Sequence, residues 1–361
     1  MINGAFMDID NNYAFPLTPA LSNADIEANY WKCLYTSSEE KMLQYWVFLP
    51  KRVKPAEVVP TYLEEVGMTN LGRYFSNDAQ PYMEVWAACE HIEWEINPAD
   101  WLFNKLELMG EKVLQQRLIK HPSGFGEFAD VLTLKVHSSG DEVISRFTVQ
   151  KDYNPKKGGG NYFLIKAACA ARDYAALADS IYLTVTNWDL LHRSNLGLAE
   201  LLETFSISNK NSSGFKIPGS WKAKPIAKNR LLIEHTFDGI NYGVINLYFY
   251  SKDTLFTEQD VFNLATKRFK DPQAGITLIT DSLSSIPNDF NPLFGENMST
   301  CQGDILSLEE KIEGFYQCYI FSLGKAWCYA ELVGKKRNHR DYHFEANKRC
   351  LEIILSTFHI A

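Results

Sequence analysis

Long apolar runs are missing from this sequence: no stretch approaches the roughly 20 apolar residues that a membrane-spanning helix needs. Basic runs are missing too. Lysine and arginine number 36 against 44 aspartates and glutamates, a net charge of −8. No segment concentrates the positive charge needed to track a phosphate backbone, so nucleic acid is not expected as a partner. The seven cysteines, Cys33, Cys89, Cys169, Cys301, Cys318, Cys328 and Cys350, are scattered, odd in number and without a Cys-x-x-Cys pair. That pattern argues against a disulfide framework and reads as reduced, buried thiols of a cytosolic protein. The opening "MINGAFMDIDNNYAFPLTP" carries no lysine or arginine, and Asp8 and Asp10 interrupt it, so neither a signal peptide nor a membrane anchor is expected.

Motifs for bond-making are scarce as well. In "NPKKGGGNYF" the glycines Gly158–Gly160 follow Lys156 and Lys157 and lead into a strand pattern. A phosphate loop needs Gly-Lys-Ser/Thr opening a helix, so this stretch reads as a hairpin connection. "HPSGFGEF" does not satisfy Gly-x-Ser-x-Gly, and Ser123 has no adjacent base. The carboxylates Glu84, Glu90, Glu93 and Glu95 raise the question of acid–base work. On a strand, Glu93 and Glu95 share one face and Glu90 takes the other. With His91 and Trp94 interleaved, "ACEHIEWEI" reads as a half-solvated strand.

What is present is an ordinary globular mixture, 46% apolar and 13% aromatic over 361 residues, enough for two domains with a core each. The stretch "SISNKNSSGFKIPGSWKAKP" lacks any period and concentrates Ser, Asn, Gly, Lys and Pro. It predicts an exposed linker over 206–225 between an N-terminal domain, 1–205, and a C-terminal domain, 226–361. Within the first, "YWKCLYTSSEEKMLQYWVFLP" predicts two strands, and "PAEVVPTYLEEVGMTNLGRYF" a helix entered through Pro60 and carrying Leu63, Val66 and Leu71. "NPADWLFNKLELMGEKVLQQRL" predicts a helix near 97–118 with Asn97 as its cap, Pro98 at its first position and Asp100 at its positive end. "DVLTLKV", "VISRFTVQ" and "NYFLIKAACA" are strands, and Tyr174, Leu177, Ala178, Ile181, Val185 and Trp188 form one helical face. In the second, "RLLIEHTFDG" and "YGVINLYFYS" make a hairpin, and "TEQDVFNLATKRF" a helix with Thr257 and Asp260 as a capping box. "GITLITDSL", the region around "ILSLEEKIEG", "FYQCYIFSLG" and "AWCYAELVG" are strands, closed by a helix over 341–358. The expected class is α+β, two related domains, each an antiparallel sheet packed by helices.

"GKKRNHRDYHFEAN" is the stretch most suggestive of metal, with His339 and His343 four apart and Glu345 beyond. An offset match argues otherwise. Arg172-Asp173-Tyr174 corresponds to Arg340-Asp341-Tyr342, Ala178 to Ala346, Leu183 to Leu351 and Val185 to Ile353. The histidine positions fall on Ala171 and Ala175, and a third ligand at suitable spacing is missing. The stretch reads as a helix start whose Asp charges the positive end and whose Tyr opens the buried stripe.

The strand pair "FYQCYIFSLGKAWCYAELVG" and the closing "RDYHFEANKRCLEIILSTF" place an extended strand before a helix laid across the sheet. In this order, over residues 226–361, the chain resembles the Mog1p/PsbP-like fold and the DcrB/DUF1795 group, which includes the Eag-type chaperones of bacterial type VI secretion. A diverged copy is expected at about 28–192. The extra helix near 97–118 and the acidic connection around "LSSIPNDFNPLFGENMSTCQGD" depart from that group, and no family site residue transfers. The resemblance implies a non-enzymatic scaffold that shelters an apolar segment of a partner protein. Two rivals stand beside it: an enzyme or small-molecule binder at the interdomain cleft, with Glu93, Glu95, His91 and Tyr174 as first residues to test, and a structural subunit of a larger assembly. No catalytic, cofactor or metal residue is assigned.

Overall fold

The computed structural model describes residues 13–58, 62–76, 81–120, 127–194, 196–207, 213–270, 276–307, 312–338 and 341–360. Two compact units divide the chain, Met1–Ala199 and Glu200–Ala361. Both combine antiparallel sheets with helices, an α+β architecture. No helix among the described residues is long and apolar enough to cross a membrane.

The first unit runs α1 (Asn23–Asn29), β1 (Tyr30–Tyr35), β2 (Tyr45–Pro50), β3 (Val53–Ala56), α2 (Tyr62–Glu65), β4 (Thr69–Ser76) and β5 (Glu84–Ile92). It continues through α3 (Pro98–Leu108), β6 (Lys112–Lys120), β7 (Glu127–Val136), β8 (Glu142–Tyr153), β9 (Gly160–Ala170), α4 (Tyr174–Thr186) and β10 (Trp188–Leu190). A seven-stranded sheet has the order β3-β4-β5-β9-β8-β7-β6, and β1-β2-β10 form a second, three-stranded sheet. Alternation along β8 and β9 gives the large sheet two faces. Ile144, Ile165, Ala167 and Cys169 face α4, whose Tyr174, Leu177, Ala178, Ile181 and Val185 join them in one core with Tyr45, Val47 and Leu49 of the small sheet. Tyr162 faces the other way, toward Trp101 of α3 at 5.7 Å.

The second unit runs β11 (Leu202–Ser206), β12 (Gly214–Pro218), β13 (Trp221–Ala227), β14 (Arg230–Phe237), β15 (Ile240–Ser251), α5 (Glu258–Thr266) and β16 (Ile276–Thr280). It ends with β17 (Ser284–Pro287), β18 (Asn297–Ser307), β19 (Ile312–Leu323), β20 (Ala326–Lys335) and α6 (His343–Thr357). Its large sheet has the order β13-β14-β15-β20-β19-β18-β16, with β17 also on β18. In each large sheet the first three strands are consecutive and the last strand lies beside the third. A helix follows the third strand, and another follows the last. The β14–β15 hairpin turns at Asp238 and Gly239, at φ 49° and 76°, the paired left-handed conformation of a tight two-residue turn. Core residues on one face, including Ile233, Ile245, Leu247 and Ala330, pack under α6, and Tyr316, Cys318, Ile320 and Tyr329 pack under α5 on the other. Helix α6 comes close at one point, where Gly243 and Gly334 are register partners. A Cβ on either would overlap the Asn347 amide, which donates to Tyr242 O at 2.9 Å. All seven cysteines are buried free thiols.

Four sequence expectations need correction. The helix near 97–118 stops at Leu108, because Gly110 adopts φ 67° and the good helix formers after it pair with β7 as strand β6. The helix expected from Pro60 keeps only Tyr62–Glu65 among the described residues (Pro60 lies outside them); Gly67 at φ 83° ends it and Leu71 belongs to β4. Trp188 leaves the α4 face, since Asn187 ends the helix and Trp188 pairs with Val47. The stretch 206–225 contains β12 and the start of β13, with Phe215, Ile217 and Trp221 buried in the second unit's core. Its polar residues masked an alternating apolar set. The caps at Asn97 and at Thr257 with Asp260 form as expected. Asp173 precedes α4 without a side-chain cap bond, whereas Asp341 Oδ1 accepts from His343 N at 3.3 Å.

Candidate functional site

The sequence-derived candidates do not converge. Strand β5 ends at Ile92, so Glu93 lies exposed in the following bend and Glu95 is buried beyond it, where both its oxygens accept from Lys151 Nζ at 2.7 and 2.9 Å. Glu90 accepts from Trp101 Nε1 at 2.6 Å and pairs with Lys105 at 2.9 Å. Burial lowers the Lys105 pKa, and Glu90 partly restores it. Glu90 and Glu95 neutralise two buried lysines, Lys105 of α3 and Lys151 of β8, an internal structural task. His91 Nδ1 lies 3.0 Å from Asn161 Oδ1. Tyr174 is buried on the opposite sheet face, its hydroxyl donating to Ala14 O at 2.7 Å. Glu84 pairs with Arg73 at 2.8 Å. Ser123 lies outside the described residues, and Gly159 packs against the Ile92 carbonyl at the entry to β9.

His339 lies outside the described residues. His343 opens α6 with its ring stacked on Tyr242 at 3.7 Å and edge-on to His235 at 5.8 Å, and His235 in turn stacks on Trp221 at 5.0 Å. Burial lowers both histidine pKa values, that of His235 to about 4, with the neighbouring His343 adding to the effect. Glu345 is buried and accepts from Arg337 Nε at 3.0 Å. Among the described residues no three His, Cys, Asp or Glu side chains are grouped to hold a metal ion.

Two grooves lie elsewhere, around the C-terminal end of α4, and the sequence reading did not single them out. Alternation in "YWKCLY" and "QYWVFLP" turns Cys33, Tyr45, Val47 and Leu49 into the core and leaves Lys32, Trp46 and Phe48 on the outer face of the small sheet. Lys32 is the register partner of Phe48 and holds its ammonium 4.0 Å over the Trp46 ring. Tyr30 stacks on Phe48 at 5.4 Å and bonds Ser180 Oγ at 2.7 Å. Lys32, Trp46, Phe48, Tyr182 and Pro19 border an aromatic groove of about 580 Å³. Residues 13–17 strap α4 in place: their carbonyls at Tyr13, Ala14, Pro16 and Leu17 accept from Gln115, Tyr174, Arg146 and Tyr182.

A second groove, of about 620 Å³, opens on the other side of the α4 end, and Thr186 borders both. Its apolar wall includes Ile119, Phe128, Val185 and Trp188, and its charged wall includes Arg117, Arg193, Asp130 and Asp189. Trp188 is pinned by its Nε1, which donates to Thr148 Oγ1 at 2.8 Å. Among the described residues neither groove is lined by a histidine, cysteine or serine. The Asp130 carboxylate is taken up by two guanidiniums, Arg146 at 2.8 Å and Arg117 at 2.9 Å. The arrangement is equipped for contact. Aromatic rings and arginines bordered by polar groups are the composition of protein-recognition surfaces. An aromatic on each face of the short strand β2 was the one sequence signal for it. Arg117 and Arg193 gave none, because single arginines acquire meaning only through their cross-strand neighbours.

No family model matches this chain, and no curated protein does. Among solved structures, one from Bacteroides thetaiotaomicron VPI-5482 is 11% identical over 41% of this chain and 45% of that one, with a TM-score of 0.23. The chain thus spans under half the length of that relative. The T6SS immunity protein TplEi of Pseudomonas aeruginosa, complexed with "L" peptide, is 11% identical over 87% of this chain and 96% of that one, with a TM-score of 0.22. Likenesses this distant assign neither a fold family nor a role.

Proposed function

We propose that this chain is a non-enzymatic protein-binding adaptor or chaperone, acting in the cytoplasm. The observation that carries the reading is the pair of grooves at the α4 end, where Trp46, Phe48, Tyr182 and Trp188 stand beside Lys32, Arg117 and Arg193. A helix lies on each face of both large sheets. Burial of an apolar partner segment there contributes about 25 cal/mol per Å² before the costs of association. The shared strand order of the large sheets supports reading the two units as tandem copies of one plan, of the Mog1p/PsbP-like kind.

The test places a photo-activated benzophenone at Phe48, in the aromatic groove, and separately at exposed Val136 as control. In cells of the source organism, position 48 is expected to yield one discrete adduct with a second protein, and position 136 none. Bare chain from position 48, or the same smear of adducts from both positions, overturns the reading.

A further inference from the structure

The cluster at the second groove holds three guanidiniums against two carboxylates: Arg117 and Arg193 line the groove with Asp130 and Asp189, and Arg146, outside the lining, shares Asp130. Arg117 is the register partner of Asp130, and Arg146 lies two residues from Thr148, the partner of Asp130 on the next strand, so three neighbouring strands bring two arginines to one aspartate. Asp130 Oδ1 accepts from Arg146 Nε at 2.8 Å, and Oδ2 accepts from Arg146 Nη2 at 2.8 Å and Arg117 Nη2 at 2.9 Å. Two N–H groups remain enclosed without a hydrogen bond among the described residues: Nε of Arg117, in the groove lining, and Nη1 of fully buried Arg146, whose guanidinium lies 4.1 Å over the Phe15 ring and whose Nη2 also donates to Pro16 O. Across the groove, Arg193 Nε donates to Asp189 Oδ1 at 2.5 Å and its Nη2 to Gln150. Three arginines thus meet two aspartates, and two of the three line the cavity beside Phe128 and Trp188. Buried guanidinium N–H groups left unmatched are costly, and a carboxylate offers them the strongest acceptor.

We infer that this groove receives an acidic side chain, Asp or Glu, from an otherwise apolar segment of the partner protein, with Arg117 and Arg193 as its clamp. Charge complementarity selects this occupant. A basic segment would face the excess guanidinium charge, and a wholly apolar one would leave it unmatched in a site from which it also excludes water. This inference rests on the protein-binding reading of the grooves.

The experiment pans a phage-displayed random dodecapeptide library on the full chain and measures the enriched peptides by fluorescence anisotropy. Enriched peptides are expected to carry Asp or Glu beside aliphatic or aromatic residues. Replacing that acid by its amide should weaken binding about 10-fold to 100-fold, the range of a charge-assisted hydrogen bond. The Arg193→Gln and Arg117→Gln chains should bind the acidic peptide weakly and discriminate little between acid and amide, so that the losses are not additive. Arg193, on the surface, serves where Arg117→Gln fails to fold. Peptides without an acidic bias, or full acid-over-amide preference in a folded arginine variant, overturn the clamp and leave protein binding standing. No enriched peptide at all overturns both.

Discussion

Helices α4 and α6 occupy the same place in their units, each following the last strand of its large sheet, yet they end differently. The end of α6 is sealed. Phe358 packs against Phe215, Phe294 and Phe321 with ring centroids 6.0–6.4 Å apart. Gly214 and His359 exchange backbone bonds of 3.0 and 2.9 Å, Lys216 N donates to Thr357 Oγ1 at 2.8 Å, and Asn291 Nδ2 donates to Phe358 O at 2.5 Å. The end of α4 instead runs into β10, which joins the small sheet and leaves a groove on either side. Aromatic side chains serve both ends, but at α6 their partners are the chain's own, whereas at α4 part of their surface is left for another molecule. An aromatic-rich strand therefore does not reveal whether its rings will be core or contact. The element that arrives to cover them decides.

The sharpest way to test this contrast is to truncate one ring at each end. Phe358→Ala empties a buried aromatic site and is expected to cost about 3–5 kcal/mol, read as a lower urea midpoint for the second unit. Full retention of that midpoint would show that the α6 end is not sealed by packing.

The entries of the two helices differ as well, and pH separates them. Helix α4 starts at Tyr174, while α6 starts at His343 against His235. With its pKa lowered from 6.5 to about 4 by burial, His235 is neutral in the folded unit and protonates more readily when unfolded. Its contribution is present above pH 6.5 and is lost as pH falls toward 4, by about 2 kcal/mol at pH 4.5. Hydrogen exchange, corrected for intrinsic rates, should show α6 amides losing more protection than α4 amides between pH 7 and 4.5. A His235→Phe chain should lose the larger part of that difference, His343 keeping the rest, and an unchanged difference in it would remove His235 as the cause.

The smallest effect on stability is expected at the open end. Trp46→Ala removes a half-exposed ring and its cation–π contact, at about 1 kcal/mol or less, while reducing the Phe48 adduct severely. A loss as large as that of Phe358→Ala would make Trp46 a core residue and erase the contrast.

Local signals were legible where chemistry acts within a turn or two. Asn97 before Pro98, and Thr257 with Asp260, announce helix starts because the capping side chain bonds its own neighbours' orphan N–H groups. The offset pairs Ala178 and Ala346, Leu183 and Leu351, Val185 and Ile353 are all buried in their helices. The failures have a common origin. Residues 111–120 contain good helix formers, but the left-handed Gly110 and an available strand partner outweighed a preference worth only tenths of a kcal/mol per residue. Glu93 and Glu95 looked like one strand face until the strand ended at Ile92 and a lysine from a distant segment claimed Glu95.

The sequence by itself determined the α+β class, the helix caps at Asn97 and Thr257, the hairpin of β14 with β15 and the buried stripes of the closing helices, all properties of neighbours a few residues apart. Only the tertiary structure decided where a partner can be held. The grooves assemble Trp46, Arg117, Asp130, Tyr182 and Arg193 from separate strands, a helix and a loop. The charge excess there exists because cross-strand register sets two guanidiniums on one carboxylate. Register and covering depend on which segments meet in space, and no local pattern of residues encodes that meeting.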